Sequence, residues 1–293
     1  MVPRMTNQDS NLNLVAPQTK RHRSSLPILI IAVLFVSATF LTWYYTWFGR
    51  DLTDNEVSQY LADEKHPRHV QHALLQIQQR LEQNKPAQQW YSKIVELSAD
   101  PETEFRMTSA WLMGYDNKSE EFHATLIKLL VDKEPMVSRN AALALVRFND
   151  SSGREALMNT LKPLAVSAPE AGMVNSTLNE GSRVSRGTLL ARVMESNGTL
   201  REVRSPIPGK IEKIVTGNGA TVSSGNTMLT ISSDANSIWE ALRGLALIGR
   251  VEDLNEIERY ARGVDSLPER IKQQAALTAK AIQSRTVLNA GKG

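Results

Sequence analysis

The chain has no cysteine. That absence excludes a disulfide framework, thiolate zinc sites, iron–sulfur ligation and a cysteine nucleophile. Histidine is scarce, five residues in 293, with none between Pro163 and Asp234. An excess of one charge is also missing from most of the chain. Arg4, Lys20, Arg21 and Arg23, against Asp9, precede Ser24 and account for the whole formal charge of +3. The neutral remainder lacks the basic face that nucleic acid requires. No Ser/His/Asp grouping or paired-carboxylate motif is evident. Gly217-x-Gly219 lacks the helix and lysine of a phosphate cradle. No catalytic, cofactor-binding or metal-ligating residue is assigned, and the chain reads as a non-enzyme without a cofactor.

Charge is absent altogether from Ser24 to Gly49. The densest part, Ile28 to Phe48, would make a helix of roughly 32 Å, enough for the ~30 Å hydrocarbon core of a bilayer. Trp43, Tyr44, Tyr45 and Trp47 cluster at one end, and Lys20, Arg21, His22 and Arg23 lie at the other. Acids outnumber bases from Arg50 to Lys65. The expectation is a single-pass transmembrane helix over 24–49, with residues 1–23 a disordered cytoplasmic tail. The bulk then lies in the periplasm, at the inner membrane of a bacterial envelope. A cleaved signal peptide ending near Val36-Ser37-Ala38 and a buried soluble helix are the alternatives.

From Thr53 the pattern is one of paired helices with short breaks. Thr53 caps a helix ending near Glu64, and Pro67, Pro86, Pro101 and Pro135 stand at later helix starts, where proline costs no hydrogen bond. Phe105, Ser109, Ala110, Trp111 and Met113 recur 32 residues later as Val137, Ala141, Ala142, Leu143 and Leu145. The pattern returns as Ile271, Ala275, Ala276 and Leu277. Small residues at the centre of each second helix permit close approach. This repeat resembles the HEAT family, whose units are helix pairs stacked in a solenoid; an ordinary helical bundle is the alternative. The HEAT-like segments are expected over 53–162 and 236–285, with a disordered tail at 286–293.

Between Pro163 and Asp234 glycine becomes frequent and strands alternate. The stretch is duplicated. Pro169-x-x-Gly172, Gly181-x-x-Val184-x-x-Gly187 and Val193 return as Pro206-x-x-Gly209, Gly219-x-x-Val222-x-x-Gly225 and Ile231. Each Pro-x-x-Gly turns into a strand, and each Gly-x-x-Val-x-x-Gly makes two turns around one buried valine. The doubled motif resembles the biotinyl/lipoyl-like domain, a barrel-sandwich hybrid, over 163–234. That resemblance implies a carrier lysine at the tip of the hairpin joining the halves. Here the tip is Asn197-Gly198, a two-residue turn signal, and carries no lysine. Lys210 and Lys213 follow the second Pro-x-x-Gly turn, on a strand. Covalent biotin or lipoate therefore lacks its nucleophile. A similar sandwich in peptidoglycan-cutting zinc endopeptidases needs histidine ligands that this segment does not have.

The fold class expected is mainly α with an inserted all-β domain: a transmembrane helix, a HEAT-like solenoid and a lipoyl-like sandwich. The insertion falls between helices at Ser151–Leu161 and Ser237–Ile248, which would form one pair without it; three consecutive domains are the alternative. The functional expectation is a membrane-anchored, extracytoplasmic scaffold that binds other envelope proteins and no nucleic acid. The alternative is a divergent subunit resembling periplasmic adaptor (membrane-fusion) proteins of an efflux or secretion complex. Those proteins usually carry a long coiled-coil hairpin where this chain has a tight turn.

His66-x-x-His69-x-x-His72 could place His69 and His72 on one helix face, but Pro67 puts His66 before the helix, and the run reads as a solvated helix start rather than a metal site. Arg139 and Arg147 beside Asp132 and Glu134 read as ion pairs between repeats. Four glycosylation sequons, at Asn117, Asn149, Asn175 and Asn197, are near chance frequency.

Overall fold

The computed structural model describes residues 26–46 and 51–290. The chain divides into two units, Met1–Asp51 and Leu52–Gly293. The tail at 1–23 lies outside the described residues. The first unit contains helix α1 (Leu26–Thr46). Its described side chains, 26–42, are all exposed and cover roughly 26 Å of helix, short of a ~30 Å hydrocarbon core. Among the described residues no helix is long and apolar enough to cross a membrane. The transmembrane span over 24–49 is therefore not supported, nor are the inner-membrane, single-pass localisation and the periplasmic bulk that rested on it. The aromatic cluster Trp43 to Trp47 lies outside the described side chains.

The second unit is helical with two small antiparallel sheets. Its helices are α2 (Asp54–Ala62), α3 (Pro67–Glu82), α4 (Tyr91–Leu97), α5 (Thr103–Met113), α6 (Glu120–Leu129), α7 (Pro135–Arg147), α8 (Arg154–Thr160), α9 (Ala235–Ile248), α10 (Leu254–Arg262) and α11 (Glu269–Ala290). Local chemistry explains several starts. Thr53 and Glu56 form a capping box at α2, each satisfying a backbone N–H of the other. Pro67 and Pro135 sit in the first turns of α3 and α7. Pro86 does not open an α-helix; a 3-10 turn at Gln88–Trp90 intervenes before α4. Helix α11 continues to Ala290, through much of the stretch expected to be a disordered tail.

Each even-numbered helix from α2 packs on the odd-numbered helix that follows it, and α3, α5, α7, α9 and α11 contact one another in succession. The small residues of the repeat sit where helices cross. Ala110, Ala141, Ala142 and Ala275 are fully buried. A Cβ on Gly153 would lie 2.6 Å from the Ala142 Cα, so α8 approaches α7 as closely as backbone allows. The third copy differs: Leu277 is 62% exposed. Helix α11 ends the row, and no described helix follows to cover that position.

Between α8 and α9 lie β1 (Leu164–Ser167), β2 (Gly172–Asn175), β3 (Arg183–Val184), β4 (Leu189–Met194), β5 (Leu200–Arg204), β6 (Gly209–Ile214), β7 (Thr221–Val222) and β8 (Thr227–Ser233). They form two four-stranded sheets, ordered β1-β8-β6-β3 and β5-β4-β2-β7. The sequence duplication maps one order onto the other. β6 and β8 are the repeats of β2 and β4, and β7 is the repeat of β3. Each half donates its shortest strand to the other half's sheet: β3 pairs with β6, and β7 with β2. The hydrogen bonds repeat as well. Gly187 N–H donates to the Ser205 carbonyl at 2.7 Å, and Gly225 N–H to Ala168 at 2.8 Å. Both glycines have φ near +80°, where a side chain would be strained. Val174, Val184, Val193, Ile211, Val222 and Ile231 fill the space between the sheets.

The sandwich has its own core, distinct from the two helical cores. Its ends lie side by side, because Leu164 of β1 is in register with Ile231 of β8. Helices α8 and α9, which flank it in sequence, pack on each other. The Leu161 carbonyl at the end of α8 accepts from Tyr260 Oη at 2.6 Å and from Arg259 at 3.1 Å. A helix end that needs partners thus finds them on α10 rather than in the sandwich.

Candidate functional site

The hairpin tip between β4 and β5 is a three-residue loop. Gly198 N–H donates to the Glu195 carbonyl at 2.9 Å, and Glu195 N–H to Thr199 at 2.9 Å. Gly198 alone has a positive φ there, +83°; Asn197 does not. A two-residue type I′ turn needs positive φ at both central positions, so the expected two-residue turn is replaced by a wider one. The Asn197 side chain accepts from Thr199 N–H at 2.8 Å and shapes the loop. Arg201 pairs with Glu195 at 2.7 Å. No lysine stands at the tip. Lys210 and Lys213 are on β6, in register with Ser232 and Thr230 of β8, and Lys210 Nζ reaches Ser266 at 3.4 Å. Beside the tip, Met173, Met194 and Leu200 are exposed and adjacent, Met194 being the register partner of both.

A second feature lies on the helices. Trp111 and Ala144, Val146 and Arg147, and Trp239, Arg243 and Leu247 line a groove of about 260 Å³ along α5, α7 and α9. Helix periodicity builds it: Leu143 and Arg147 are one turn apart on α7, as are Trp239, Arg243 and Leu247 on α9. Arg243 lies 4.7 Å from the Trp239 ring centre. Arg147 lies 5.5 Å from Trp111 and 4.6 Å from Tyr115. Stacking holds each guanidinium flat while leaving its edge free to donate. Neither arginine is in an ion pair among the described residues. Leu247 is 65% exposed on the groove's edge.

The ion pairs expected for Arg139 and Arg147 are built otherwise. Arg139 bonds Glu240, and Ser237 at 2.7 Å, tying α7 to α9. Arg147 donates to the Gly114 carbonyl at 3.3 Å. Asp132 pairs instead with Arg106 of α5 at 2.8 and 3.2 Å.

The histidine run divides. His72 is buried, with its ring edge-on to Tyr60 at 6.0 Å. His66 and His69 turn the other way, to Asp63 at the end of α2. Asp63, His66 and His69 hold their ligand atoms within 4.8 Å of one another. The pairing expected on one helix face, His69 with His72, is not the one formed. The signal that was missed is the spacing Asp63-x-x-His66-x-x-His69, which spans the helix boundary. Two hydrogen bonds hold the Asp63 carboxyl below its usual range, from His66 first and then His69, against the opposing effect of desolvation. A further pair, His123 Nε2 with Asp150 at 2.7 Å, joins α6 to the loop after α7.

No family model matches this chain, and no curated protein matches it. Among solved structures, a single-chain, multi-domain long-chain acyl-CoA carboxylase aligns with it at 20% identity and a TM-score of 0.23. That alignment covers 35% of this chain and 10% of the carboxylase, and a likeness of that size carries no inference about fold or activity here.

Proposed function

We propose that the chain is a non-enzymatic protein-interaction scaffold, a HEAT-like helical stack that carries a biotinyl/lipoyl-like sandwich without its attachment lysine. The observation that carries this reading is the groove of Trp111, Arg147, Trp239 and Arg243. Tryptophan and arginine dominate the energetics of protein interfaces, because each covers much apolar area and still donates hydrogen bonds. Two stacked guanidiniums over an apolar floor suit an extended partner segment with acidic side chains flanking an apolar anchor. The sandwich adds a second contact face, the exposed Met173, Met194 and Leu200. Methionine adapts to irregular partner surfaces. Every reading of the sandwich as a carrier requires a lysine at the hairpin tip, and Ser196-Asn197-Gly198 offers none.

A photocrosslinking residue at Leu247 in the full chain tests the groove, with one at Val131, 88% exposed and outside it, as control. Position 247 should give a discrete adduct that position 131 does not. Arg243→Glu should weaken that partner by about 2 kcal/mol, roughly thirtyfold in Kd. Identical adducts from both positions, unchanged by Arg243→Glu, would remove the groove as the binding face.

A further inference from the structure

We propose that Asp63, His66 and His69 form a site for a divalent cation of the zinc class at the corner between α2 and α3. The corner is built by its own backbone. Asp63 ends α2, its N–H donating to the Tyr60 carbonyl at 3.2 Å. His66 N–H donates to the Asp63 carbonyl at 2.9 Å, and His69 N–H to His66 at 2.8 Å. Pro67 fixes φ at the first residue of α3. Those constraints bring three side chains from both sides of a helix break to one point.

The donor atoms converge rather than merely neighbour one another. His66 Nδ1 lies 2.8 and 2.9 Å from the two Asp63 oxygens, and His69 Nδ1 lies 2.7 Å from Oδ2. One carboxylate thus receives the same nitrogen of two imidazoles. A tetrahedral zinc with bonds of about 2.0–2.2 Å separates its ligand atoms by roughly 3.4 Å. The three groups need to open by only a fraction of an ångström to admit the ion. The metal would take the place of the two bridging protons, each imidazole then carrying its proton on Nε2. Two nitrogens and one carboxylate oxygen suit zinc, copper or nickel, and serve calcium and magnesium poorly.

The site is also held. The His69 ring stacks on Tyr60 with centres 4.4 Å apart and planes at 14°. Tyr60 also meets the buried His72 edge-on, so the His69 ring is backed by the core of the first helix pair. Glu64 in the connecting turn is drawn away to Lys93 at 2.6 Å and does not compete. The His66 side chain is 66% exposed, which leaves the fourth coordination position to water. A bound ion would staple the end of α2 to the start of α3.

Calorimetric titration of the full chain with zinc chloride at pH 7.5, in a non-chelating buffer, tests the proposal. One equivalent should bind. His66→Gln and His69→Gln should each weaken binding by more than about tenfold, since even supporting residues of metal sites are worth 10–100-fold. His123→Gln, in the other exposed His–Asp pair, should leave it unchanged. Cobalt should give the visible absorption of a low-coordinate ion, bleached by zinc. Absence of binding by the wild-type chain overturns the site, as does full retention in both glutamine variants with unchanged circular dichroism. Loss of binding in His123→Gln alone would move the ion elsewhere and overturn it equally.

Discussion

Gly209→Ala should unfold the β-sandwich and leave the helices standing. A Cβ at Gly209 would be forced into the Ser232 carbonyl oxygen of β8 and would lie 2.9 Å from Ile231 Cγ2. The obstruction is backbone in a paired strand, so it cannot swing aside as a side-chain tip would. Ile231 is itself a fully buried core residue. The cost should sit at the upper end of overpacking, about 3 kcal/mol. Gly172 is the symmetry mate, with its Cβ directed at the Met194 carbonyl and 2.8 Å from Val193 Cγ1. Gly172→Ala should therefore behave alike. Gly187→Ala is the contrast: its φ is +81° but the space beside it is open, and the left-handed backbone should cost about 1–2 kcal/mol. No tryptophan lies between Pro163 and Asp234, so tryptophan fluorescence follows the helices alone. Protease cleavage mapped within that segment follows the sandwich. Gly209→Ala should separate the two probes. Equal behaviour of Gly209→Ala and Gly187→Ala would mean that the strand contact does not govern stability.

Arg106→Met should destabilise the helical stack by about 3–5 kcal/mol, the usual cost of stranding one partner of a buried ion pair. The Arg106 side chain is 7% exposed and Asp132 11%. The guanidinium binds both Asp132 oxygens and also donates to the carbonyls of Asp100 at 2.9 Å and Pro101 at 3.0 Å. Its removal leaves a buried carboxylate and two carbonyls without that donor. The effect should depend on pH in one direction. Burial works to raise the Asp132 carboxyl, but the Arg106 hydrogen bonds and the Glu134 N–H outweigh it and hold the group below its usual 3.8. A carboxyl lowered in the folded state adds stability that is present above its unfolded pKa and lost as pH falls through the folded one. The gap between wild type and Arg106→Met, measured by urea denaturation, should be full at pH 7 and narrower at pH 3. A gap that is the same at both values would assign the loss to packing of the arginine stem rather than to the pair.

What was legible in the sequence was local. The Thr53 cap, Pro67 and Pro135 act on the backbone within a few residues, and their helices begin where they stand. The glycine-and-valine duplication is likewise a chain of short turns, and its two copies occupy equivalent strands of the two sheets. Pairings across the fold were not legible. Asp132 has acidic and basic neighbours in sequence, yet its partner is Arg106, 26 residues away. Arg139 finds Glu240 across 101 residues, because the sandwich lies between the helices it joins. Asp63 was overlooked because helical spacing was counted within α3, while the cluster forms across the break before it. Asn197-Gly198 resembles a two-residue turn, but the Asn197 side chain is spent on Thr199 and the loop widens by one residue. The apolar run near the start was the largest overreading, since hydropathy counted without the described helix set a membrane span that the structure does not support.

Replacing residues 163–233 with a short Gly/Ser linker tests most directly whether a self-sufficient helical stack carries a separable module. Asp234 is kept because it caps α9 by accepting from Ser237 N–H at 2.8 Å. The deleted segment enters and leaves on adjacent strands, so the linker spans little distance and closing it adds little entropy cost. Leu157 and Leu161 should still pack with Leu242 and Leu245, and Tyr260 should still hold the end of α8. Lost contacts are few: Met136 against the sandwich core, the Arg186–Glu104 ion pair and the Lys210–Ser266 bond. Thermal circular dichroism at 222 nm should show one cooperative helical transition, with adducts through position 247 retained. A deletion chain that melts without cooperativity and is cut throughout α7 to α10 would show instead that the sandwich is part of the helical core.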